Sequence, residues 1–382
     1  MIVLGNQNLL HTKSAVVLNS SQSKTPCGND PWMRVTSGAI ANLIESGYTI
    51  ITSLGLNTWE LSVFLVSRHS GKQIIISPET DDNEGRSIFN ETIRDFNLDP
   101  DNFAMVFVKP ENNSRRPKSN WAARDKAAIS LAESIVPVSI RPNGKLQRLI
   151  NDSSEQKQIT TKFNIEHHKS LVSPPRYSKE NISFDTEKWD YLTHWTRTCH
   201  GPWPGQSKYE YYDSLLKSGS EYPNNAFETL KNISAELTIR ASSKRIREGK
   251  HVIGFTESVP KEVISRLRWL PKRTGWNFEP YGIAIRKKTA IKLGIKPVFY
   301  GNSDDYSAMP EEMRPYFQSM GEKDVDWSEE KEWRRLGDLD LSNLPSEDLL
   351  FLVWRDDEAD FLRGIVANEV SGLSGTQAKS GG

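Results

Sequence analysis

Short apolar segments alternate with helical segments through the first 140 residues of the chain, and this alternation restricts the possible folds more than any other feature. The apolar segments, whose β-branched residues predict strands, are 15–19 (AVVLN), 48–52 (YTIIT), 73–77 (QIIIS), 104–108 (AMVFV) and 135–140. Helical spacing of apolar residues predicts helices between them, at 32–46, 57–68, 85–96 and 121–134. Repeated strand–helix–strand units form a parallel sheet with helices on both faces. The sequence therefore predicts an α/β Rossmann-like domain over residues 1–150.

The polar loops that follow the predicted strands are the candidate ligand site of this domain. In open parallel sheets the ligand lies at the carboxyl ends of the strands, next to helix N-termini. Neither GxGxxG nor GxxxxGKS/T occurs in the sequence, which excludes a standard dinucleotide fingerprint or P-loop. The loop residues that we expect to contact a nucleotide at this edge are Asn19, Ser20, Gln22, Ser53, Gly55 and Gly144.

A set of short motifs in the same region resembles the SLOG superfamily, which contains the DprA and LOG proteins. The motifs are SGYTIITSLG at 46–55, ARDK at 123–126, the apolar run 136–140 and the NG pair at 143–144. The resemblance covers residues 14–150 and implies a domain that senses or binds a nucleotide, with Glu60 and Arg124 as candidate contacts for its ribose or phosphate. The PGGxGTxxE motif of the LOG proteins is absent, so phosphoribohydrolase chemistry is not implied. The alternative is a Rossmann-like domain that serves only as a scaffold.

The character of the sequence changes twice after residue 150. Residues 151–188 are rich in Ser, Pro and charge with little periodicity, which predicts a linker in which His167 and His168 lie at the surface. Residues 189–356 contain short strand-like segments separated by helical ones, which predicts an α+β domain with a mixed sheet, here called the effector domain. Residues 357–382 are predicted to form a C-terminal helix and a flexible tail.

Four motifs of the second half resemble the AbiGi-type abortive-infection proteins of bacterial defence. They are HWT at 194–196, FTE at 255–257, YGIAIRKKTAIKLGIKPVFYG at 281–301 and WSEEKEWR at 327–334. The resemblance spans residues 190–355 and implies an antiphage effector whose reaction the motifs leave open.

The second half is also similar to the ADP-ribosyltransferase superfamily, and this similarity implies NAD as cofactor or substrate. Such enzymes need a hydrogen-bond donor for the ribose, an aromatic residue for the nicotinamide and a carboxylate beside the oxocarbenium-like charge of the transition state. The residues assigned to these roles by the similarity are His194, Thr196, Thr256, Tyr281, Glu330 and Glu332.

The two glutamates form an E-x-E pair with a specific expectation. In a strand, Glu330 and Glu332 would project on the same side. Like-charge repulsion would raise the pKa of one of them, which suits a general base. The alternatives are an acidic surface loop for the E-x-E pair, a hydrogen-bonded structural role for His194 and a helix-capping role for Thr256.

Charge is balanced over the whole chain but not locally. The formal net charge is zero, so there is no global signal for nucleic-acid binding. Residues 231–297, however, contain 16 Lys and Arg against 5 Asp and Glu, and residues 298–382 contain 8 against 19. This basic stretch has the composition of a surface that binds single-stranded nucleic acid, because it also contains the aromatic residues Trp269, Trp276 and Tyr281. Solvated helix faces are the alternative.

Several functional and cellular classes are disfavoured by composition. The two cysteines, Cys27 and Cys199, are far apart, which indicates a reducing compartment rather than a disulfide framework or zinc ribbon. No apolar run approaches the roughly 20 residues of a membrane span, and the N-terminus lacks the pattern of a signal peptide. We therefore expect a cytoplasmic protein without a membrane partner.

Three functions remain open on the sequence alone. The first is a protein in which a nucleotide-sensing domain controls an effector domain that acts on NAD or nucleic acid. The second is a non-catalytic nucleotide- or nucleic-acid-binding protein that uses the basic stretch. The third is a nuclease with metal ligands among Asp324, Asp326, Glu329 and Glu330, although no recognised metal-nuclease spacing is present. The SLOG resemblance also implies self-association.

Overall fold

The computed structural model describes residues 2–78, 82–109, 117–168, 177, 188–243, 246–270, 275–320 and 327–374. The chain forms two compact units, neither of which is one continuous segment. The first unit contains Met1–Val172 and Gly205–Pro223, and the second contains Ser173–Pro204 and Asn224–Gly382. The predicted tail beyond residue 374, and the parts of the predicted linker at 169–176 and 178–187, lie outside the described residues.

A seven-stranded sheet forms the centre of the first unit. Its strands are β1 (Ile2–Gly5), β2 (Ser14–Asn19), β3 (Thr49–Ser53), β4 (Gln73–Pro78), β5 (Phe103–Val108), β6 (Ser134–Ser139) and β7 (Gln158–Ile159). Their order is β1-β5-β4-β3-β2-β6-β7, and all neighbours are parallel except the edge pair β1 and β5. The order reverses at β2, so the topological switch point lies between β2 and β6. The prediction of an α/β Rossmann-like fold is confirmed.

Helices cover the sheet of the first unit on both faces. They are α1 (Pro31–Glu45), α2 (Asn57–Arg68), α3 (Asp82–Phe96), α4 (Pro117–Leu131), α5 (Lys145–Ser153) and α6 (Lys208–Lys217). Strand β2 shows why the sheet needs both layers: Ala15 and Val17 are buried in one apolar cluster, whereas Val16 and Leu18 are buried in another. Successive strand residues point to opposite faces, so a strand that is apolar at every position must be covered on both sides.

Two parts of the first unit come from regions that the sequence assigned elsewhere. Strand β7 lies within the predicted linker, and Ile165 N donates to Val138 O at 2.8 Å, so residues 158–165 run beside β6. Helix α6 follows the first strand of the second unit in sequence but belongs to the first unit. It begins with a capping box in which Ser207 Oγ accepts from Glu210 N and the Glu210 carboxylate accepts from Ser207 N, a pairing that satisfies free N–H groups of the first turn.

The second unit contains short strands and helices around another seven-stranded sheet. In chain order the strands are β8 (Tyr191–Trp195), β9 (Thr238–Ile239), β10 (Val252–Thr256), β11 (Trp269–Leu270), β12 (Gly275–Trp276), β13 (Gly282–Arg286), β14 (Lys296–Pro297), β15 (Phe299–Gly301), β16 (Phe317–Ser319), β17 (Glu332–Leu336), β18 (Leu339–Asp340), β19 (Leu349–Val353) and β20 (Glu369–Gly372). The helices are α7 (Ala226–Glu236), α8 (Pro260–Ser265), α9 (Lys287–Lys292), α10 (Ser303–Ala308) and α11 (Asp356–Arg363).

The main sheet of this unit has the order β14-β17-β10-β8-β13-β19-β20. All of its neighbours are antiparallel except β19 and β20, which are parallel. Shorter pairs are formed by β9 with β18, β11 with β12 and β15 with β16. The predicted α+β domain with a mixed sheet is therefore present.

One helix of the basic stretch 231–297 is short. Helix α8 ends at Ser265, and Trp269 begins β11. The side chain of Asn277 explains the early end, because its Nδ2 donates to Arg266 O at 2.9 Å and its Oδ1 accepts from Arg268 N at 2.8 Å. These bonds satisfy backbone groups that a longer helix would have used internally. The basic residues of this stretch therefore do not form one continuous helical face.

Candidate active site

A cavity of about 100 Å³ opens on one face of the central strands of the second sheet. Strand β8 contributes Thr193 and Trp195 to its wall, and Arg197 follows at the same spacing. Strand residues two apart point to the same face, so these three side chains form one row. Opposite them lie Glu330 and Glu332, which close the other side.

The register of the strands explains why a cavity exists here. Gly254 of β10 pairs with Arg334, and its missing side chain leaves open space 3.5 Å from Glu332 Oε1. On the other side of β8, Gly282 pairs with Trp195. A Cβ atom at Gly282 would approach His194 O to 2.8 Å, so only glycine lets β13 lie this close to β8. Of these two glycines, Gly254 lines the cavity itself, whereas Gly282 lets β13 pack closely against the strand that carries Thr193 and Trp195.

The backbone between the two glutamates has an uncommon conformation. Glu330 ends a 3-10 helix (Trp327–Glu330), and Glu332 begins β17. Lys331 between them has a φ of 44°, in the left-handed region that costs non-glycine residues roughly 1 kcal/mol or more. Thr256 Oγ1 donates to Glu330 O at 2.5 Å, and Glu257 N donates to Lys331 O at 3.1 Å, so β10 holds this turn in place.

This turn corrects the expectation for the E-x-E pair. The two glutamates do not lie in one strand, so the strand alternation that predicted their common side does not apply. They nevertheless line the same cavity, with the left-handed Lys331 between them. Glu329, one residue earlier, is exposed.

Glu332 is fixed by a buried arginine. Arg334 Nε donates to Glu332 Oε1 at 2.8 Å and Nη2 donates to Oε2 at 3.0 Å, a two-bond carboxylate clamp. The same guanidinium donates through Nη1 to Pro315 O at 3.0 Å and to Phe317 O at 2.8 Å. The Arg334 side chain is 5% exposed and that of Glu332 is 22% exposed. The clamp therefore fixes both oxygens of the Glu332 carboxylate, and part of the side chain stays exposed at the cavity.

Glu330 has different surroundings and no such clamp among its described hydrogen bonds. Burial raises the pKa of its carboxyl group, and the neighbouring charge of Glu332 raises it further. The positive charges of Arg197, Arg266 and Arg268 act in the opposite direction but are outweighed. A glutamate with a raised pKa can exchange a proton closer to neutral pH than an ordinary one.

Two buried polar atoms at the cavity have no hydrogen-bond partner within the described residues. They are Thr193 Oγ1 and Trp195 Nε1, on side chains that are almost fully buried. An unpaired buried donor costs about 1–3 kcal/mol relative to a satisfied one. Both residues line the cavity, so a bound molecule that reaches either atom would satisfy it.

His194, the residue of β8 that the similarity assigned to the site, lies on the other face of the strand from the cavity. His194 is adjacent in sequence to both orphaned residues but points to the opposite face, where its ring lies 5.8 Å from that of Phe255. Its Nδ1 lies 2.8 Å from Gly254 O, and because a carbonyl only accepts, Nδ1 carries the proton. Burial lowers the pKa of the imidazole, so the ring is neutral at neutral pH. His194 does not meet Thr256 and Glu332 in one cavity.

Thr196 and Tyr281 also lie away from the cavity. Thr196 Oγ1 is within donating distance of Ala226 O, at 2.9 Å, and Tyr281 O, at 3.1 Å, so it ties α7 and β13 to the end of β8. The Tyr281 hydroxyl donates to Glu358 Oε1 at 3.0 Å inside the core. Burial, followed by the charge of Glu358, raises the pKa of Tyr281 far above its ordinary value. Thr256 does line the cavity, although its hydroxyl is committed to Glu330 O.

The candidate nucleotide contacts around β2 and β6 meet at the switch point of the first sheet. Gln22 Nε2 donates to Ser139 Oγ at 3.0 Å, and Ser139 Oγ lies 3.0 Å from His167 Nδ1. Ser20 Oγ accepts from Arg141 N at 2.8 Å. Asn19 Nδ2 donates to Thr36 Oγ1 at 2.9 Å, whereas Asn19 Oδ1 is buried without a partner in the described part. Gly144 is placed nearby, where it precedes α5.

The remaining nucleotide candidates are held by other residues of the first unit. Glu60 accepts from Gly55 N at 3.0 Å, from Lys208 Nζ at 3.0 Å and from the Tyr212 hydroxyl at 3.2 Å. Arg124 is buried, donates to Leu54 O at 3.2 Å and to Asp125, and lies 5.3 Å from the Trp59 ring centre. Ser53 Oγ donates to Ile76 O at 2.6 Å. These contacts organise the loop after β3 from within the protein.

No group suited to a metal ion, with three or more His, Cys, Asp or Glu side chains together, occurs among the described residues. Asp324 and Asp326, which the nuclease hypothesis requires, lie outside those residues. None of the described helices has the length and apolar character needed to cross a membrane.

Sequence reasoning missed Thr193, Trp195, Arg197, Gly254 and Phe278 as cavity residues. The alternation of the YLTHWTR segment contained a signal for the first three, because they share the face that His194 does not occupy. Phe278 comes from a loop, and its ring centre lies 5.4 Å from the Arg197 guanidinium. No local pattern in the sequence relates that loop to β8.

Comparison with known proteins gives partial structural similarity only. No protein-family model matches the chain, and no curated protein matches it. Among solved structures, this chain is similar to DNA processing protein A from Helicobacter pylori, with 14% identity and a TM-score of 0.30. The similarity covers 43% of this chain and 74% of the Helicobacter protein, whose structure is described for its single-stranded DNA binding mode. This chain is also similar to DprA from Streptococcus pneumoniae, with 13% identity, a TM-score of 0.32 and coverage of 45% and 56%.

Proposed function

We propose that the cavity of the second unit is an active site that cleaves the bond between nicotinamide and ribose in NAD and passes the ADP-ribosyl group to water or another nucleophile. The observation that carries the proposal is the pair Glu330 and Glu332, two glutamates in different surroundings at one cavity. Transfer to water would convert NAD⁺ and H₂O into nicotinamide, ADP-ribose and one proton.

The two carboxylates fit two separate tasks in this reaction. Departure of nicotinamide leaves positive charge on the ribose carbon, and a fixed carboxylate stabilises such charge. Glu332, clamped by Arg334, is suited to that task because its position is set before the substrate binds. Glu330, with its raised pKa, is suited to accept the proton of the attacking nucleophile.

The cavity fits one ring of the substrate rather than the whole molecule. Its volume of about 100 Å³ is well below the roughly 300–1,000 Å³ of pockets that enclose a drug-sized ligand. We assign it to the nicotinamide and the adjoining ribose carbon. The indole Nε1 of Trp195 would donate to the carboxamide oxygen, and Thr193 Oγ1 would pair with the amide nitrogen.

Three arginines favour an anionic substrate. Arg197 lines the cavity, and the charges of Arg266 and Arg268 also act on Glu330. Arg266 is oriented by its own contact, since its Nη1 donates to Glu329 O at 2.7 Å. Guanidinium groups pair well with phosphate oxygens. The diphosphate of NAD, which extends beyond the nicotinamide ribose, would lie toward this cluster.

We further propose that the first unit binds a nucleotide-derived signal at its switch point, next to Gln22 and Ser139, and that this controls the second unit. The role in bacterial defence that the AbiGi resemblance implies stays a prediction. The alternative function is non-catalytic binding of nucleic acid by the basic stretch 231–297, for which Arg266 and Arg268 would serve equally well.

The test is NAD turnover by the full-length protein, measured as nicotinamide release by chromatography, with and without a panel of nucleotides. We expect Glu330→Gln and Glu332→Gln each to lower turnover by about 100-fold, the usual scale for loss of a general base or an electrostatic stabiliser. Glu329→Gln is the matched control, because this exposed neighbour changes charge equally without lining the cavity.

The competing outcomes are distinct. Undiminished turnover in Glu330→Gln would remove the catalytic assignment. Absence of turnover under all conditions, together with salt-dependent binding of single-stranded DNA that Arg268→Gln weakens, would favour the nucleic-acid alternative.

A further inference from the structure

A second cavity, of about 170 Å³, lies in the first unit at the amino ends of β4 and β5. Gln73, the first residue of β4, and Phe103, the first residue of β5, are strand partners at its floor. Ligands of open parallel sheets ordinarily bind at the carboxyl ends. This cavity is therefore separate from the nucleotide edge that the sequence indicated and from the cavity of the second unit.

Two helices end at this cavity. Helix α2 ends at Arg68 and α3 ends at Phe96, and the residues just beyond them, Ser70 and Asn97, line the cavity in left-handed conformations with φ of 50° and 51°. Each helix C-terminus presents backbone carbonyl groups and carries about half a negative charge. The two ends together contribute partial negative charge at the cavity.

A buried acceptor without a partner points to the ligand. Gln73 is 2% exposed, and its Oε1 has no hydrogen-bond partner among the described residues. Its Nε2 faces Val63 O at 3.4 Å. Because that carbonyl can only accept, the amide cannot be turned around, and the unpaired atom is the oxygen. Gln73 lines the cavity, so a ligand there that donates a hydrogen bond to Oε1 would satisfy this atom.

The rest of the lining supports a positively charged donor. Asp99 accepts from Asp101 N at 3.0 Å and from Asn102 Nδ2 at 2.8 Å, which leaves lone pairs on its carboxylate unused. Among the described residues that line the cavity there is no lysine or arginine, so an anion would meet no counter-charge from them. Ser67 Oγ is already within donating distance of Phe96 O and Asn97 O.

We propose that this cavity is a binding site for a small primary ammonium compound. Its ammonium group would donate to Gln73 Oε1 and to Asp99, and its short carbon chain would contact Leu98 and Phe103. The site is small, since its volume is below the roughly 300–1,000 Å³ of drug-sized pockets. A compact amine therefore fits within this volume.

The experiment is ligand-observed saturation-transfer NMR on the full-length protein, with n-propylammonium chloride as the probe and 1-propanol as its neutral analogue. Saturable binding of the amine is expected at about 1 mM, the affinity that so few non-hydrogen atoms supply. The alcohol should bind at least tenfold more weakly. Equal binding of both probes, or no saturable binding of the amine, would overturn the proposal.

Two variants locate the site. Gln73→Met keeps the shape of the side chain but removes the acceptor, and it should weaken amine binding at least tenfold. Asp99→Asn changes an exposed side chain, so it tests the same site even if Gln73→Met fails to fold, and it should weaken binding severalfold. Gln147→Met on α5 is the matched control and should bind as the parent does. Unchanged amine binding by folded Gln73→Met or by Asp99→Asn would refute the assignment.

Discussion

Replacement of Arg334 by methionine tests whether the clamp on Glu332 stabilises the second unit as well as its cavity. The change removes five hydrogen bonds, two to Glu332, one each to Pro315 O and Phe317 O, and one to Gln318 Oε1 at 2.7 Å. Loss of one partner from a buried ion pair costs about 3–5 kcal/mol, mostly because the other charge stays behind unpaired.

The magnitude must be adjusted for the exposure of the partner. Glu332 is 22% exposed, so water reaches part of its carboxylate and relieves some of the cost. The two carbonyls left without a donor add to it, at about 1 kcal/mol each. We therefore expect Arg334→Met to lower the free energy of unfolding of the second unit by about 3–4 kcal/mol. Glu332→Gln, which keeps hydrogen-bonding atoms in place, should cost about 1–2 kcal/mol.

The assay is urea unfolding followed by tryptophan fluorescence, together with hydrogen exchange of the β17 amides to assign the transition to the second unit. The double variant Arg334→Met with Glu332→Gln should be more stable than the sum of the single changes predicts, by at least about 1 kcal/mol. Arg240→Met, at an exposed pair with Glu236, is the control and should cost less than about 1 kcal/mol. If Arg334→Met costs no more than this control, or if the two changes are additive, the clamp has no stabilising role.

Three further predictions concern single residues around the same sheet. NAD turnover should rise with pH through a midpoint above the ordinary glutamate pKa of about 4.3, because Glu330 acts as a base only when ionised and its pKa is raised. A pH–rate profile that is flat from roughly pH 4 to 8 would contradict this prediction. Gly282→Ala should destabilise the second unit by about 1–3 kcal/mol in urea titration, because its Cβ would lie 2.8 Å from His194 O; a neutral effect would show that β13 can move away. The pKa of His194 is lower in the folded protein than in the unfolded chain, so the contribution of neutral His194 to stability is complete above the unfolded pKa of about 6.5 and is lost as pH falls toward the folded pKa. His194→Phe should therefore make the free energy of unfolding less dependent on pH over that window, at a cost of about 1 kcal/mol for the lost bond to Gly254 O. Turnover by the folded variant should stay unchanged.

Much of the fold could be predicted because it depends on local patterns. The apolar runs that became β2, β3, β4, β5 and β6 are short, β-branched and separated by helical periodicity, and each signal lies within one segment. The edge pairing of β1 with β5 and the position of α6 could not be derived in this way. Both depend on contacts between residues far apart in sequence, such as Tyr212 with Glu60.

The candidate site was partly predictable for the same reason. Glu330 and Glu332 lie in one short motif, WSEEKEWR, so the sequence alone could mark both as candidate site residues. The choice between the two faces of β8 was not, because His194 and Trp195 are both common in buried and in catalytic positions. Only the pairing of Thr193 with Thr256 fixes which row of side chains faces Glu332.

The discontinuous make-up of the two units has a consequence for how the chain folds during synthesis. The polypeptide contributes to the first unit up to Val172, to the second up to Pro204, to the first again up to Pro223 and to the second thereafter. A ribosome that has released only the first 172 residues has not yet supplied α6, so Glu60 lacks Lys208 and Tyr212, and Phe64 lacks the rings of Tyr209 and Tyr212. The first unit therefore lacks these contacts until the opening strand of the second unit has also been synthesised, and a single cut in the chain cannot separate the two units intact.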